Sequence, residues 1–511
     1  MENCVKRESK RLDLIGAALC PNRLSSVHRA CAGLALGLLA AFPALAAPPP
    51  LAVPVSGEQA AYGSPTGVAG FMSSLNRSNF LLGDMFGLRP FLSRYGVSLA
   101  VQETSELLGN VTGGQREGAE YDGLTQAILQ MDTQRAFGWY GGLFNISALN
   151  IHGRNLSADN LLSLQTSSGI EADRSTRLWE LWYDQKFLEE NRLSVRIGQQ
   201  SLDQEFMVSS NAAYFVNTMF GWPALPSYDL PGGGPAYPLS ALGVRLKARP
   251  IESVNLLLGV FNGSPVHNNS FDAGDPQKQN ASGTSFPLNG GALIITELQY
   301  SYPSLGSLGY PGQAQPLGHT YRIGAWYDTE TFYDQRYDNT GLSLANPNST
   351  GIPASHRGNY SIYAVADQML WLNSHDPNNS VSAFARAMGA PQGNRNIIQV
   401  SMNAGLVLHE PFRYRPDDTF GVGMGYAHVT PGLSGLDQDT AAFAPAGSYN
   451  PVRSAETYFE ATYQYQLRPW VQLQPDVQYV INPGAGVVNP SDPSRRVGNE
   501  FVLGLRANIL L

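Results

Sequence analysis

The sequence predicts an all-β protein whose antiparallel strands form a barrel that crosses a membrane. Three observations predict this fold class: an export signal at the N-terminus, a period of two in the apolar residues of many later segments, and a dense row of polar residues on the opposite face of those segments. After the export signal no run of about 18 apolar residues remains, so a transmembrane helix is not expected.

The first 46 residues have the features of a cleaved signal peptide. Basic residues, among them Arg23 and Arg29, precede an apolar run that ends at Phe42, and Ala44-Leu45-Ala46 provides the small residues of a cleavage site. All three cysteines lie before this site, so the mature chain has no thiol and no disulfide. We expect three parts in chain order: a signal peptide over 1–46, a periplasmic segment with a short helix over 47–95, and the barrel over 96–511.

The C-terminal sequence FVLGLRANILL shows the alternation most clearly. Phe501, Leu503 and Leu505 begin an apolar face that continues to the last residue, whereas Arg506 and Asn508 lie on the opposite face. Such a segment has the length of a tilted membrane strand, which needs about 9–11 residues. The same alternation occurs in residues 419–429, 456–467 and 470–481.

Two candidate folds differ in which face of the strands, apolar or polar, points inward. In a soluble, exported β-sandwich the apolar face would point inward. Here the polar face is dense in Gln, Glu, Asp and Arg, and the apolar face carries Tyr and Phe near the strand ends, which is typical of a membrane barrel with a wet lumen. Short turns at 188–191 and 248–253 also suit a barrel, as do the long polar stretches, which cover 262–290, 303–318, 335–358 and 430–454.

Composition excludes several functions. A net charge of -8 argues against a nucleic-acid partner. The histidines show no H-x-x-x-H spacing of a metal site, and no G-x-S-x-G nucleophile motif occurs. We therefore expect no enzyme activity, no cofactor and no bound metal.

The hairpin over residues 177–200 has candidate lumen residues. Pairing around the turn places Asp184 opposite Arg196, Trp182 opposite Gly198 and Glu180 opposite Gln200, so the first-named residue of each pair lies in the inward row. An indole beside carboxylate, amide and guanidinium groups can stack on a sugar ring while the polar groups bind its hydroxyls. The alternative is that Trp182 fills space and the ion pair stiffens the wall. The outward row is expected to hold Trp179, Leu181, Tyr183 and Phe187.

Two further rows place charge on the lumen face. Arg245 alternates with apolar residues and is followed at the same spacing by Lys247 and Arg249, and Arg322, Trp326 and Asp328 form a similar row. Charged rings set solute preference in a pore, although a solvated wall explains such rows equally well.

The stretch GWPALPSYDLPGGGPAYPLSALGVRL, residues 221–246, interrupts this pattern. Its glycine triplet is followed by no Lys-Ser or Lys-Thr and no helix, so a phosphate-binding loop is not expected. Five prolines and several aromatic residues favour a fixed course. We expect a rigid loop folded against or into the pore, with Trp222, Tyr228 or Tyr237 available to a solute or to the wall.

Several segments together resemble the carbohydrate-selective porin (OprB) family of Gram-negative outer membranes. They occur in order and include LWELWYDQKF, RIGQQSLDQEFMVS, PGGGPAYPLSALGVRL, YRIGAWYDTETFYDQ and WVQLQPDVQYVINPG. The resemblance implies about 16 strands, inward loops that narrow the pore, and a constriction lined by arginines, carboxylates and aromatic residues. By motif, the resemblance implies that this constriction is lined by Glu180, Trp182, Arg196, Trp222 and Arg245. Residues 84–87, DMFG, depart from the family's DWGG.

The sequence thus predicts an outer-membrane porin for passive, carbohydrate-selective diffusion of small sugars into the periplasm. A general or anion-leaning porin and a structural or adhesive barrel remain as alternatives. The expected partners are small sugars as permeating solutes, outer-membrane lipid and lipopolysaccharide, and the outer-membrane assembly machinery. The chain is expected to act as a monomer or a homotrimer.

Overall fold

The computed structural model describes residues 79–303, 317–376 and 379–511. Sixteen of its strands close an antiparallel barrel, which confirms the fold class and the strand number. These strands are β1 Val97–Gly114, β2 Gly118–Asp132, β3 Gly142–Gly153, β4 Ser175–Phe187, β5 Leu193–Gln200, β6 Ala241–Ile251, β7 Val254–Asn262, β8 Ala292–Tyr302, β9 His319–Asp338, β10 Pro353–Leu372, β11 Ser380–Gly389, β12 Ile398–His409, β13 Thr419–Val429, β14 Ala455–Arg468, β15 Val471–Ile481 and β18 Gly498–Leu510. Two short strands, β16 Val488–Asn489 and β17 Asp492–Arg496, form a separate hairpin.

The helices are short and lie at the ends of the barrel or inside it. They are α1 Leu88–Arg94, α2 Thr133–Phe137, α3 Thr218–Gly221, α4 Ala224–Asp229, α5 Pro276–Gln279 and α6 Pro431–Phe443. Within the three described ranges, no helix combines the length and the apolar character needed to cross a membrane. The predicted signal peptide, 1–46, and residues 47–78 of the predicted periplasmic segment lie outside the described residues.

The first and last barrel strands pair directly, and α1 lies against the joint. Leu107 of β1 is the register partner of Leu505 of β18. The Arg89 guanidinium donates to the Leu511 carbonyl at 2.6 Å and also to the Gly83 carbonyl. The expected N-terminal helix is therefore present, and it fixes the C-terminal end of the chain.

The alternation of side chains has the direction that the sequence predicts. On β18, Leu503 and Leu505 are 45% and 48% exposed, whereas Val502 and Arg506 are buried at 0% and 4%. The apolar row thus faces outward and the polar row faces the interior, as a barrel with a polar lumen requires.

Trp179 departs from this alternation. The sequence placed it on the lipid face, but the pairing of β3 with β4 shifts by one residue between Ser147 and Ala148. An extra residue in one strand bends it and redirects side chains. Trp179 and Glu180 are both buried as a result, and the indole packs edge-on against Tyr237 at 6.2 Å between ring centroids.

The connections divide into a short-turn end and a long-loop end. The end that holds α1 and Leu511 carries short turns, such as 188–192 after β4, and the opposite end carries loops 201–240, 263–291 and 430–454. The polar stretch 303–318 was expected among the long loops of one side. It instead joins β8 to β9 at the short-turn end, and its residues 304–316 lie outside the described residues.

Candidate functional site

Four charged residues form a compact cluster on the lumen face of β4, β5 and β6. Arg245 Nη2 lies 2.9 Å from Asp184 Oδ2, and Arg245 Nε lies 2.6 Å from Glu205 Oε2. Arg196 Nη2 lies 3.3 Å from Asp184 Oδ2 and 3.4 Å from Glu205 Oε1. We call these four residues the ion-pair cluster. Each arginine contacts both carboxylates, and two guanidinium groups with two carboxylates give the cluster a net formal charge of zero.

The predicted register of the hairpin is confirmed from Leu181 to Phe187, but the expected pair of Glu180 with Gln200 is not formed. Asp184 pairs with Arg196, and Trp182 pairs with Gly198. On the next strand Arg245 is the partner of Arg196, which is why the two guanidinium groups lie side by side. The pairing of β5 with β6 therefore places Arg245 next to the residues of the hairpin.

Trp182 lies directly beside the ion-pair cluster. The Arg196 guanidinium carbon is 3.8 Å from the centroid of the Trp182 ring, which is the geometry of a cation–π contact. The Trp182 side chain is buried. One face of the indole that was expected to stack on a sugar is thus covered by Arg196, and Trp182 orients this guanidinium.

Glu205 was not identified from the sequence. It lies in the loop that follows β5, where the alternation of strand residues ends, so periodicity gives no signal for it. Burial alone would raise the pKa of Glu205, but the neighbouring Arg196 and Arg245 outweigh it and hold the pKa below its usual value. The carboxylate therefore stays ionised and balances the two arginines.

Glu180 binds the first residue of the loop that follows β5 and contains Glu205. Its Oε1 accepts a hydrogen bond from the Ser201 backbone N–H at 3.1 Å, and the Ser147 hydroxyl accepts from the Glu180 backbone N–H at 3.1 Å. Glu180 is buried, so the structure places it behind the lumen surface. It supports the loop and does not share an ion pair with the cluster.

The loop over residues 201–240 folds into the barrel, as the proline-rich stretch predicts. We call it the inward loop. Its apolar residues, among them Phe206, Phe220 and Leu225, share one buried core with inward side chains of β7 to β15. A loop that fills the lumen in this way narrows the path of a solute.

Trp222 and Tyr237 of this loop are buried and do not reach a solute, whereas Tyr228 is half-buried. Trp222 is 0% exposed, and its Nε1 donates to the Gly233 carbonyl at 3.0 Å. The Tyr228 and Tyr237 hydroxyls donate at 2.9 Å to the carbonyls of Leu164 and Ile170. The prediction that Trp222 lines the pore is therefore wrong. Its ring is used to pack the loop, because a buried indole needs an acceptor for its N–H.

Polar side chains of the far wall hold the inward loop in place. Arg386 of β11 donates to the carbonyls of Met207 at 2.7 Å and Gly221 at 2.9 Å. Glu460 of β14 accepts from the backbone N–H groups of Val216 at 2.6 Å and Asn217 at 3.0 Å. These bonds satisfy loop backbone groups that water does not reach.

A second loop, residues 154–174, also bends inward. Glu456 of β14 accepts from the backbone N–H groups of Leu164 at 2.7 Å and Gln165 at 2.8 Å. Gln478 of β15 donates to the Ser167 carbonyl at 2.7 Å. The sequence did not single out this loop, since its serine-rich composition is also that of an exposed loop.

The row on β9 divides into a polar part and a buried part. Arg322 is only slightly exposed, and its Nη1 lies 2.7 Å from Asp367 Oδ2 of β10. Trp326 is 2% exposed and belongs to the buried core with Tyr363 and Val365. The expectation that Trp326 lines the pore is wrong, because the inward loop covers this part of the wall.

Half-buried polar side chains surround the lumen toward the short-turn end. They combine amides with cations, and they are Lys186, Lys247, Gln299, Gln466, Gln472 and Asn508. This surface offers hydrogen-bond donors and acceptors to a neutral, hydroxyl-rich solute. It adjoins the ion-pair cluster, since Lys247 follows Arg245 on the same face of β6.

Known proteins that are similar to this chain in sequence include porins. Residues 116–511 match the family described as carbohydrate-selective porin, OprB family. Porin B of Pseudomonas aeruginosa is 24% identical over 455 residues, which cover 84% of this chain and 90% of that protein. The putative porin QuiX of Acinetobacter baylyi is 24% identical over 448 residues, which cover 83% of this chain and 92% of that protein.

The fold is likewise that of a solved porin. The high-pH structure of Pseudomonas putida OprB matches with a TM-score of 0.70 at 23% sequence identity, over 85% of this chain and 99% of that chain. The low-pH structure gives a TM-score of 0.50 at 18% identity. Because the family match extends over most of the chain and the barrel closes with sixteen strands, this protein belongs to the carbohydrate-selective porin (OprB) family and is a porin of the outer membrane.

Proposed function

We propose that small sugars diffuse passively into the periplasm past the ion-pair cluster, and that Asp184, Arg196, Glu205 and Arg245 give the path its preference for carbohydrates. The observation that carries this proposal is the mutual pairing of two arginines with two carboxylates. Guanidinium groups donate hydrogen bonds and carboxylates accept them, so the cluster can match alternating hydroxyl groups of a sugar. Its zero net formal charge favours a neutral solute over an ion.

A general or anion-leaning porin is the second candidate. Lys247 and Arg249 continue the cationic row of β6, and this row favours the entry of anions. The pairing of Arg245 argues against this candidate, because Asp184 and Glu205 neutralise its charge. We therefore favour a path selective for sugars, in a channel without catalytic activity.

Liposome swelling tests this function. Liposomes with the purified porin should swell faster in hexoses than in zwitterionic amino acids of similar size. Addition of the preferred sugar should also reduce the single-channel ion current. Equal swelling rates in hexoses and amino acids would contradict the proposed sugar preference. Strong anion selectivity without block of the current by sugar would favour the second candidate. No measurable conductance would instead favour a structural or adhesive barrel.

The remaining expectations concern the export of the chain, its assembly and its lipid surroundings in the cell envelope. We propose that residues 1–46 are removed on export and that the assembly machinery recognises β18, in which apolar residues alternate along the sequence from Phe501 to Leu511. Lipopolysaccharide would surround the outward face at the long-loop end. Sequencing the N-terminus of the mature protein tests the first of these points, with residue 47 as the expected start.

A further inference from the structure

Two lysines lie on the lumen face one row closer to the short-turn end than the ion-pair cluster. Lys186 of β4 is the register partner of Ser194 of β5, and Ser194 is the partner of Lys247 of β6. This row is two residues along each strand from the row that holds Asp184 and its neighbours. We call Lys186 and Lys247 the lysine pair.

The two ammonium groups of the lysine pair can reach one small ligand. Neighbouring strands of a sheet lie about 5 Å apart, so the Cα atoms of Lys186 and Lys247 are about 10 Å apart, with β5 between them. Each side chain ends in a compact ammonium group on a flexible stem of four carbons. Ser194 between them is short and buried, whereas the two lysines are half-buried. The two stems can therefore converge over the serine.

The lysine pair differs from other cations of the lumen in having no counter-charge. Within the described ranges, neither Lys186 nor Lys247 forms an ion pair or a side-chain hydrogen bond. By contrast, Arg386 is held by carbonyls of the inward loop, and four further arginines of the lumen face are held by carboxylates. These four are Arg196, Arg245, Arg322 and Arg506.

The carboxylates of the ion-pair cluster are already used by its arginines. Both oxygens of Glu205 contact an arginine, and Asp184 Oδ2 contacts Arg196 and Arg245. Lys247 also helps to hold the pKa of Glu205 low, but it is a smaller cause than either arginine. The cluster and the lysine pair together contain four cations and two carboxylates, which gives a net formal charge of +2. Since the cluster itself is neutral, the lysine pair carries this excess.

Two uncompensated ammonium groups attract an anion to this level of the lumen. Charges of one sign between close walls of low dielectric constant focus the field and raise the local concentration of an oppositely charged solute. The ion-pair cluster lies about 7 Å away along the strands and offers donors and acceptors to hydroxyl groups. An inorganic anion would use the lysines alone. A solute that uses both rows carries several hydroxyl groups and one carboxylate.

We propose that the lysine pair binds the carboxylate of a sugar acid, an aldonate or a uronate, while the ion-pair cluster binds its hydroxyl groups. This inference rests on the proposed function and extends it from neutral to acidic sugars. Ser194 links the two rows, because its hydroxyl accepts from Arg245 Nη1 at 2.5 Å. A neutral sugar makes contacts with the cluster only, so the acid of the same sugar binds more tightly.

Lysines that only keep the wall hydrated would act on every small anion alike. Attraction by charge alone does not depend on hydroxyl groups, and salt screens it. A site shared with the ion-pair cluster instead favours gluconate over acetate, because acetate has no hydroxyl groups for the cluster to bind. The two explanations therefore differ in which solutes respond when the lysines are replaced.

Block of the single-channel current by gluconate, glucose and acetate tests the site. In the natural chain gluconate should block at a several-fold lower concentration than glucose. The double variant Lys186→Gln, Lys247→Gln should raise the blocking concentration of gluconate several-fold and change that of glucose little. Lys278→Gln is the matched control, because Lys278 lies in α5 at the long-loop end and its side chain is 73% exposed. The control should leave block by both solutes unchanged.

Several results would overturn this inference. They are unchanged gluconate block in the folded double variant, and an equal loss of block by gluconate and acetate. Heat-modifiable migration on a gel reports folding, and the single variant Lys247→Gln replaces the double variant if that does not fold. Block of the natural channel by glucose, with no stronger block by gluconate, would refute this inference alone. A natural channel that neither sugar blocks would refute the proposed function as well.

Discussion

Glu205 of the inward loop accepts two hydrogen bonds from Arg245 of β6, from Nε at 2.6 Å and from Nη2 at 3.1 Å. This contact joins the loop to the barrel wall at the place where Asp184 and Arg196 also meet. The charge of the candidate constriction is therefore set jointly by the loop and by the strands. If the loop carboxylate were absent, two arginines would face one aspartate.

Replacement of Glu205 should change the ion selectivity of the channel. Glu205→Gln leaves the ion-pair cluster with one excess positive charge, so we expect a shift of the reversal potential toward anion selectivity and a weaker block by sugar. Reversal potentials in a salt gradient measure the shift. Glu190→Gln is the matched control, because Glu190 pairs with Arg192 in an exposed turn. An equal reversal potential for both variants would contradict the role of Glu205.

Removal of Arg245 should destabilise the barrel as well as alter transport. Arg245→Met removes the more deeply buried of the two arginines and leaves Arg196 alone to pair with Asp184 and Glu205, and breaking a buried ion pair costs about 3–5 kcal/mol. Urea unfolding of the protein in detergent measures the loss. Arg249→Met serves as the comparison, since Arg249 contacts the exposed turn through the Glu190 carbonyl and should change stability little.

Trp182 should act on sugar through Arg196. Trp182→Ala removes the cation–π contact and releases the guanidinium, so we expect weaker sugar block while the barrel stays folded. A double-mutant cycle with Arg196→Gln should give a coupling of about 0.5–2 kcal/mol in sugar binding. Additive effects of the two substitutions would show that Trp182 contributes by packing alone.

Arg386 should keep the inward loop closed over the lumen. Arg386→Ala removes the hydrogen bonds to the buried Met207 carbonyl and to the part-buried Gly221 carbonyl, and a buried acceptor left without its donor is destabilising. We expect a larger single-channel conductance and a lower sugar preference. Arg395→Ala is a control outside the loop, because Arg395 donates to Arg357 and Gly358 carbonyls at the long-loop end. A conductance equal to that of the control would contradict this prediction.

Asp203 should make the stability of the inward loop depend on pH. It accepts from the Ser201 hydroxyl at 2.6 Å and from the Tyr237 backbone N–H at 2.8 Å, and so ties the two ends of the loop together. Burial raises the pKa of Asp203 from 3.8 to about 6. The folded state therefore holds a proton that the unfolded state has already lost, and the free energy of unfolding falls as pH rises through this window.

Comparison with Asp203→Asn isolates this effect. The amide does not ionise, so the difference in melting temperature between about pH 4 and about pH 7 should be smaller in the variant than in the natural chain. Acids distant from Asp203 are the same in both proteins, so their contribution to the pH dependence cancels. An identical pH dependence of the two proteins would show that Asp203 keeps an ordinary pKa.

The sequence by itself determined the strands, their inward and outward faces, and the pairing within the hairpin of Asp184 and Arg196. These features depend on local alternation and on short turns, and both are readable along the chain. It also marked residues 221–246 as a rigid loop, because proline and glycine restrict the backbone locally. The family resemblance, confirmed by the match over residues 116–511, added the strand number and the transport of sugars.

Only the tertiary structure decided which side chains reach the lumen. Trp222 and Trp326 were expected to line the pore, yet packing of the inward loop buries both side chains. A one-residue shift in the pairing of β3 with β4 turns Trp179 toward the interior of the barrel. Glu205 joins Arg245 across 40 residues of sequence, and Glu456 joins Leu164 across 292. Such contacts depend on how the barrel closes and where a loop folds back, and neither leaves a periodic signal in the sequence.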